Sequence, residues 1–469
     1  MTVRTARRGT GGIAFAVALV VAPAAVLAQV SPATSVSVGA VVAPDPNAMP
    51  EIVAGKLVQD LPGPDALYDL DSGEPQSLLS EPPPRQVVLP GLGLPFPDER
   101  QAFRKWLYDQ YGLTYALSYQ QLTQYASRTL PNVGPDVAVG GWFGTSVTWT
   151  PIDRGGPYQG SLVASAGWRG PIGLNPWPAP FGPAFLGMAW SNFEFTSWQS
   201  NYRIENLFWD QRLGSDLTVR VGNQPPQAVL NTFRFKDART SFTASPLAFS
   251  ETIPYPAFGA GVSFRWRPSA LPGFYVNGDV NSMNGNPGLG SLNWKDLEWG
   301  QLFVGVEAGK QWLHGDGEYD QLSLLVFHAG TRSIFNPNTS PNAPGGGFKV
   351  LGEKQWGPIV AFANYTYNTA KGGGISTTFS DNTAVAGVAY VQPFGIRGEV
   401  AIAGMWSQPF KNIFPGSGQR DQYGVETYWN IAMTQDSTVT PGVQLIEHPS
   451  FNPKVDFLAI PEIKFRVAF

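Results

Sequence analysis

The sequence predicts an all-β protein, a closed antiparallel transmembrane β-barrel of about 16 strands. Three observations predict it. Charged residues make up only 14% of the 469 residues, while aromatics reach 13% and glycine numbers 53. Mean hydropathy stays near zero at −0.10, as expected of a wall with one lipid face and one wet face. Runs of alternating apolar and polar residues recur along most of the chain, the period of strands whose side chains point to opposite faces in turn.

The C-terminal run shows the pattern best. Phe457, Ala459, Pro461, Ile463, Phe465, Val467 and Phe469 share one face, and Glu462, Lys464 and Arg466 alternate with them on the other. Leu302, Val304, Val306 and Ala308 alternate in the same way with Phe303, Gly305, Glu307 and Gly309. So do Tyr423, Val425, Thr427, Trp429 and Ile431 with Gly424, Glu426, Tyr428 and Asn430. Many such runs are about 9–11 residues long, the length a tilted strand needs to cross a bilayer. A terminal Phe469 is also the signal that outer-membrane assembly machinery reads.

The chain divides into four parts. Residues 1–28 read as a signal peptide: Arg4, Arg7 and Arg8 precede the short apolar run Ile13 to Val21, and Val26-Leu27-Ala28 offers a cleavage site. The apolar run is too short for a spanning helix, which needs roughly 20 residues. Residues 29–97 are rich in proline, including Pro82-Pro83-Pro84, and read as a periplasmic linker. Residues 98–110 read as a short helix, with Phe103, Trp106 and Leu107 at helical spacing after Pro97; it serves as a plug or as a periplasmic foot. The barrel occupies residues 111–469.

Short connections, near Arg212–Ser215, Pro268–Gly273, His314–Glu318, Glu353–Gln355, Pro393–Ile396 and Thr434–Ser437, alternate with long ones. Periplasmic turns and extracellular loops alternate in this way. Counting back from Phe469 places the first of 16 strands near Val137. Tyr111–Gln121 would be a seventeenth, so a weak segment there or within Gly187–Gln211 is miscounted.

A barrel of this size leaves an aqueous channel. Alternation puts Arg203, Glu205, Arg220, Arg265, Arg267, Glu307, Glu426, Glu462 and Lys464 on its wall, since a charge facing lipid costs roughly 2–4 kcal/mol. Both signs are present, which suits neutral solutes with many hydroxyls better than ions of one sign. The same charges can instead brace the wall as salt bridges. Aromatic rings such as Trp209 and Tyr428 offer stacking faces for sugars. The long connection Gln224–Pro256 carries Arg234, Lys236, Asp237 and Arg239 among Phe233, Phe235, Phe242 and Phe249. It either folds into the barrel mouth as a constriction loop or caps it from outside.

Other chemistries find little support. There is no cysteine, and His314, His328 and His448 are far apart, so neither thiolate nor clustered-histidine metal sites are expected. No Ser–His pair or close carboxylate pair suggests catalysis, and no cofactor and no enzyme activity are expected. Gly345-Gly346-Gly347 and Gly372-Gly373-Gly374 read as loop tips rather than phosphate cradles. The 31 basic residues, three of them in the leader, are outnumbered by 35 acidic ones, which argues against nucleic acid as a partner.

Tyr202-Arg203-Ile204-Glu205-Asn206-Leu207-Phe208-Trp209-Asp210-Gln211, followed by Leu217-Thr218-Val219-Arg220-Val221-Gly222, resembles the carbohydrate-selective porin family. Val439-Thr440-Pro441-Gly442-Val443-Gln444-Leu445-Ile446, the His448-Pro449 and Asn452-Pro453 pairs and the closing strand are similar to that family too. The resemblance runs from about Trp198 to Phe469. It implies an outer-membrane channel of 16 strands that prefers monosaccharides such as glucose and has an Arg- and Glu-lined constriction, with Arg203 and Glu205 at matching positions. The expected partners are small sugars, outer-membrane lipid and lipopolysaccharide, and the assembly machinery. The rival expectations are a less selective porin for other small hydrophilic solutes and a structural barrel plugged by residues 29–110.

Overall fold

The computed structural model describes residues 86–130, 135–173, 178, 181–190, 201–248, 250, 252–256, 258–285, 297–314, 318–332, 343–371, 379–411 and 418–468, with only the backbone at 201–203. The leader, residues 29–85, Trp198, Phe249, Gly372-Gly373-Gly374 and Phe469 lie outside the described residues.

Among the described residues, one helix, α1 (Pro97–Tyr111), precedes sixteen strands. These are β1 (Leu113–Tyr125), β2 (Val137–Ile152), β3 (Gly160–Pro171), β4 (Asn201–Leu213), β5 (Leu217–Gln224), β6 (Gly259–Trp266), β7 (Phe274–Ser282) and β8 (Leu302–Leu313). They continue with β9 (Tyr319–Ala329), β10 (Gly345–Trp356), β11 (Ile359–Asn368), β12 (Ser380–Val391), β13 (Gly398–Pro409), β14 (Gln422–Ala432), β15 (Ser437–Glu447) and β16 (Phe457–Ala468). Each strand pairs antiparallel with its sequence neighbours, and β1 pairs with β16, so the sheet closes without an edge. The first strand is therefore the Tyr111–Gln121 segment. The miscounted region is Gly187–Gln211, whose described residues contribute one strand, β4.

Closure matters because a backbone group in lipid has no water to bond, and a closed ladder leaves none unpaired. Val304, Val306, Leu324, Val326, Ile463 and Phe465 are exposed on the outer surface, while Glu307, Ser323, Glu462 and Lys464 on the alternate positions are buried. This reverses the soluble pattern, and it fits a wall solvated by hydrocarbon. Exposed aromatics gather near both ends of the strands: Trp149, Trp266, Trp312 and Trp356 at the short-turn end, Tyr125, Tyr365, Tyr367 and Phe457 at the long-loop end. Two such girdles mark the two membrane–water interfaces of a transmembrane barrel.

Two segments depart from the expected connections. Glu353–Gln355 is not a turn but part of β10, and the chain reverses after it at Gly357 (φ 55°), where a positive φ suits glycine. Gly345-Gly346-Gly347 likewise opens β10 instead of forming a loop tip.

Helix α1 sits at the short-turn end. Gly112 (φ 70°) caps it in the left-handed conformation and turns the chain straight into β1. A side chain there would meet the carbonyl of Thr150, so only glycine lets β1 start beside the end of β2 so close to the helix. Ahead of α1, Val88 and Leu89 donate backbone hydrogen bonds to Ala432 and Met433 below β14 (3.1 and 2.8 Å). Residues 86–111 thus run along the rim and do not plug the lumen.

Candidate functional site in the barrel lumen

The connection between β5 and β6 folds inward. Most of its described residues are buried, because its apolar side chains find a matching wall. Phe233, Phe235 and Phe242 converge on Phe362 of β11, with ring centroids 5.1, 5.3 and 5.8 Å away. Phe242 also meets Tyr428 of β14 edge-on at 4.8 Å. Ala389, Ala401, Ala403 and Met405 continue this apolar inner surface.

Polar wall residues then hold the loop backbone. Glu307 of β8 accepts the amide of Thr232 with both oxygens (3.1 Å each) and the hydroxyl of Tyr275 (3.1 Å). Glu353 accepts the amide of Arg234 (3.1 Å). Glu426 of β14 accepts the amides of Thr243 (2.5 Å) and Ala244 (2.9 Å). Lys464 of β16 donates to the carbonyls of Ala238 (3.0 Å) and Ser241. Lys349 donates to Ser250 (2.6 Å) and Asn231. A buried carboxylate is costly unless hydrogen-bonded, and the loop's amides satisfy that need while the carboxylates satisfy theirs.

This corrects the placement of several predicted lining residues. Glu307 and Glu426 face inward as expected, but they bind the loop rather than an open channel. The ring of Tyr428 is covered by Phe242, and its hydroxyl donates to Glu399 (2.9 Å), so it offers no free stacking face. Arg265 donates to the carbonyl of Ala228 (3.1 Å) at the start of the loop. Arg267 lies over Tyr275 at the short-turn end, with 5.9 Å from guanidinium to ring centroid. Arg234 reaches the β9–β10 wall, lying 4.0 Å over Tyr319 and donating to Gln355 (2.6 Å). Lys236 donates within the loop, to Gln227 (3.4 Å).

Trp209 is misplaced by the alternation argument. It pairs with Val221 and Leu162, and Val221 is exposed on the outer surface. The cause is an irregularity in β4. Asn206 pairs with Ser165 but Ile204 pairs with Ala166, leaving Glu205 as an extra residue. Such a bulge flips the alternation. Glu205 points inward above it, Phe208 and Asp210 point inward below it, and Trp209 turns to the lipid side. The backbone of Arg203 pairs with Gly167; its side chain lies outside the described residues.

The loop brings Asp237 and Arg239 across the lumen to β2–β4. Arg239 donates to Asp237 (2.7 Å) and lies 5.5 Å from the ring centre of Trp142. Arg169 of β3 lies 5.6 Å from the same ring and pairs with Glu205 through two contacts, 2.7 and 2.8 Å. The indole nitrogen of Trp142 donates to Glu205 as well (3.4 Å). Gly144 and Gly167 pair side by side on the wall, and a Cβ on either would strike this indole, at 2.4 and 2.6 Å. Next to them, Arg220 donates to Asp210 (2.9 Å) and lies 4.0 Å over Phe208. The result is a buried cluster of arginine–carboxylate pairs packed around aromatic rings, with fixed donors and acceptors and little net charge.

Sequence reading missed Trp142, Arg169 and Asp210. The glycines at 141, 144 and 167 near two tryptophans were the available sign, since bare backbone on a strand marks close approach. Substituting Arg169→Ala removes one positive charge from beside Glu205. The lumen gains net negative charge, so the channel is expected to become more cation-selective, read as a shifted reversal potential across a salt gradient.

A closed transmembrane barrel with a loop folded into its lumen and a mixed-charge patch facing that loop has the architecture of a channel. No protein-family model matches this chain, and no curated protein matches it. Solved structures do. The high-pH structure of Pseudomonas putida OprB superimposes with a TM-score of 0.60 at 15% identity, over 79% of this chain and 97% of that one. Its low-pH structure gives 0.47 at 14%, over 80% and 98%. A mutant of the Rh. blastica porin gives 0.43 at 10%, over 76% and 100%. The likeness to the high-pH structure is one of fold: this chain has the porin barrel.

Proposed function

We propose that the chain is an outer-membrane porin that passes small polyhydroxylated solutes, monosaccharides foremost, by passive diffusion. The observation that carries this reading is the meeting of Asp237 and Arg239 on the inserted loop with Arg169, Trp142 and Glu205 on the wall. Guanidinium and carboxylate groups present donors and acceptors at fixed positions, matching the alternating donors and acceptors of sugar hydroxyls. The buried indole of Trp142 between Arg169 and Arg239 fixes the positions of both guanidinium groups. Balanced charge keeps the passage from favouring ions of one sign. The constriction of this reading is therefore built from both arginine–carboxylate pairs, and no cofactor takes part.

The test is solute flux into liposomes carrying the purified protein, comparing neutral hexoses with amino acids and carboxylates of similar size. Faster hexose entry is the expected result. Equal rates for all solutes would mean a general porin, and no flux would mean a structural barrel closed by its loops; either would overturn the sugar reading.

A further inference from the structure

Helix α1 has three distinct faces. One packs on the barrel: Arg104 lies 5.2 Å over Tyr115 of β1, and Tyr108 is buried. At its C-terminal end, Arg154 of the β2–β3 turn donates to the carbonyls of Tyr108 (3.3 Å) and Asp109 (3.0 Å), and at its start Arg100 pairs with Asp436 (3.2 Å). Both ends are thus fixed to the short-turn rim. A second face carries charge, with Asp98 exposed and Lys105 paired to Asp109 at 3.0 Å.

The third face is aromatic and uncovered. Phe103, Trp106 and Tyr111 are 49%, 48% and 53% exposed. Phe103 stacks on Trp106 at 5.7 Å, and Trp106 meets Tyr111 edge-on at 5.7 Å. The row is continuous with the lipid-facing wall, because Phe103 also touches Tyr115 at 6.3 Å, and Tyr115 lies on the outward face of β1. Trp149 on the neighbouring strand pairs with Leu113 at the same height.

We propose that α1 is an interfacial helix, its aromatic face seated in the headgroup region of the leaflet at the short-turn end. The inference rests on the barrel spanning a membrane, not on what passes through it. An aromatic face beside a lipid-facing wall, with charge on the far side, is the arrangement of a helix lying in the membrane plane. Tryptophan and tyrosine favour that depth because one end of each ring system is apolar and the other polar. An unattached helix this short would gain little by such contact, but α1 is already held at the rim, so the ordering cost of binding is met by the fold.

The chain has no cysteine, so single cysteines report on each face. Phe103→Cys, Trp106→Cys and Lys105→Cys variants of the full chain would carry an environment-sensitive fluorophore. Each would be placed in nanodiscs of phosphatidylethanolamine and phosphatidylglycerol, which leave both membrane faces open to solvent. A headgroup-proximal doxyl phosphatidylcholine is expected to remove roughly half or more of the emission at positions 103 and 106, and aqueous iodide that at position 105. Retained compact mobility on unheated gels confirms a folded barrel in each case. Labels at both 103 and 106 that respond to iodide as strongly as that at 105, and not to the doxyl lipid, would place this face in water and overturn the proposal. Flux through the wild-type barrel plays no part in the outcome.

Discussion

Replacing Glu426 by alanine is expected to release the middle of the inserted loop and give a larger, noisier channel. Glu426 accepts the amides of both Thr243 and Ala244, and both residues are buried. Losing that acceptor leaves two buried donors unsatisfied, at about 1–3 kcal/mol each. Removing a buried carboxylate offsets part of this. The strand ladders are untouched, so the effect falls on the loop: single-channel steps should rise and flicker while the barrel stays folded. Glu426→Gln keeps a carbonyl acceptor and should stay near wild type. Steps of unchanged size and steadiness in Glu426→Ala would show that the phenylalanine cluster alone holds the loop.

A charge at mid-height on the outer wall should have the largest effect on stability. Val306 is 45% exposed and pairs with Gly278 and Val326 in the middle of the sheet. Val306→Arg places a guanidinium against hydrocarbon, at a cost of about 2–4 kcal/mol near the bilayer centre. Lys310 stands on the same face four residues on, and it lies over Trp312 at 5.6 Å near the strand end, where a long side chain can reach the interface. Unfolding of the variant in lipid vesicles by urea should therefore come at a clearly lower midpoint than that of Val306→Leu. Matching midpoints would argue against a lipid-facing wall.

The barrel was readable from residues because membrane strands repeat one rule. Each must show lipid an apolar side and the lumen a polar one, so Phe457 to Val467 and Leu302 to Gly309 announce themselves without any partner in view. The rule holds only while alternation is unbroken. At Glu205 one extra residue shifts the register, and everything after it on β4 changes sides, which is why Trp209 was read as lining the lumen. Nothing local marks such a bulge; it is defined by its pairing with Ser165 and Ala166 on β3.

The candidate site was legible in type but not in place. That inward charges of both signs would accumulate follows from the cost of facing lipid, and Glu205 and Arg220 are where that logic leads; Asp237 and Arg239 came from the charged and aromatic composition of the long connection. Which of them come together depends on the path of one loop. Glu307 and Glu426 look equivalent to Glu205 in sequence, yet they accept the loop's amides while Glu205 meets Arg169 and Trp142.

By itself, then, the sequence determined the barrel, its closure and the outer band, because the membrane acts on every strand alike and locally. The tertiary structure decided which wall the loop leans on, which charges brace it and which pair with one another across the lumen. Those outcomes depend on pairs such as Phe242 with Phe362 and Arg239 with Trp142, whose members are far apart in the chain and meet only after the barrel has closed.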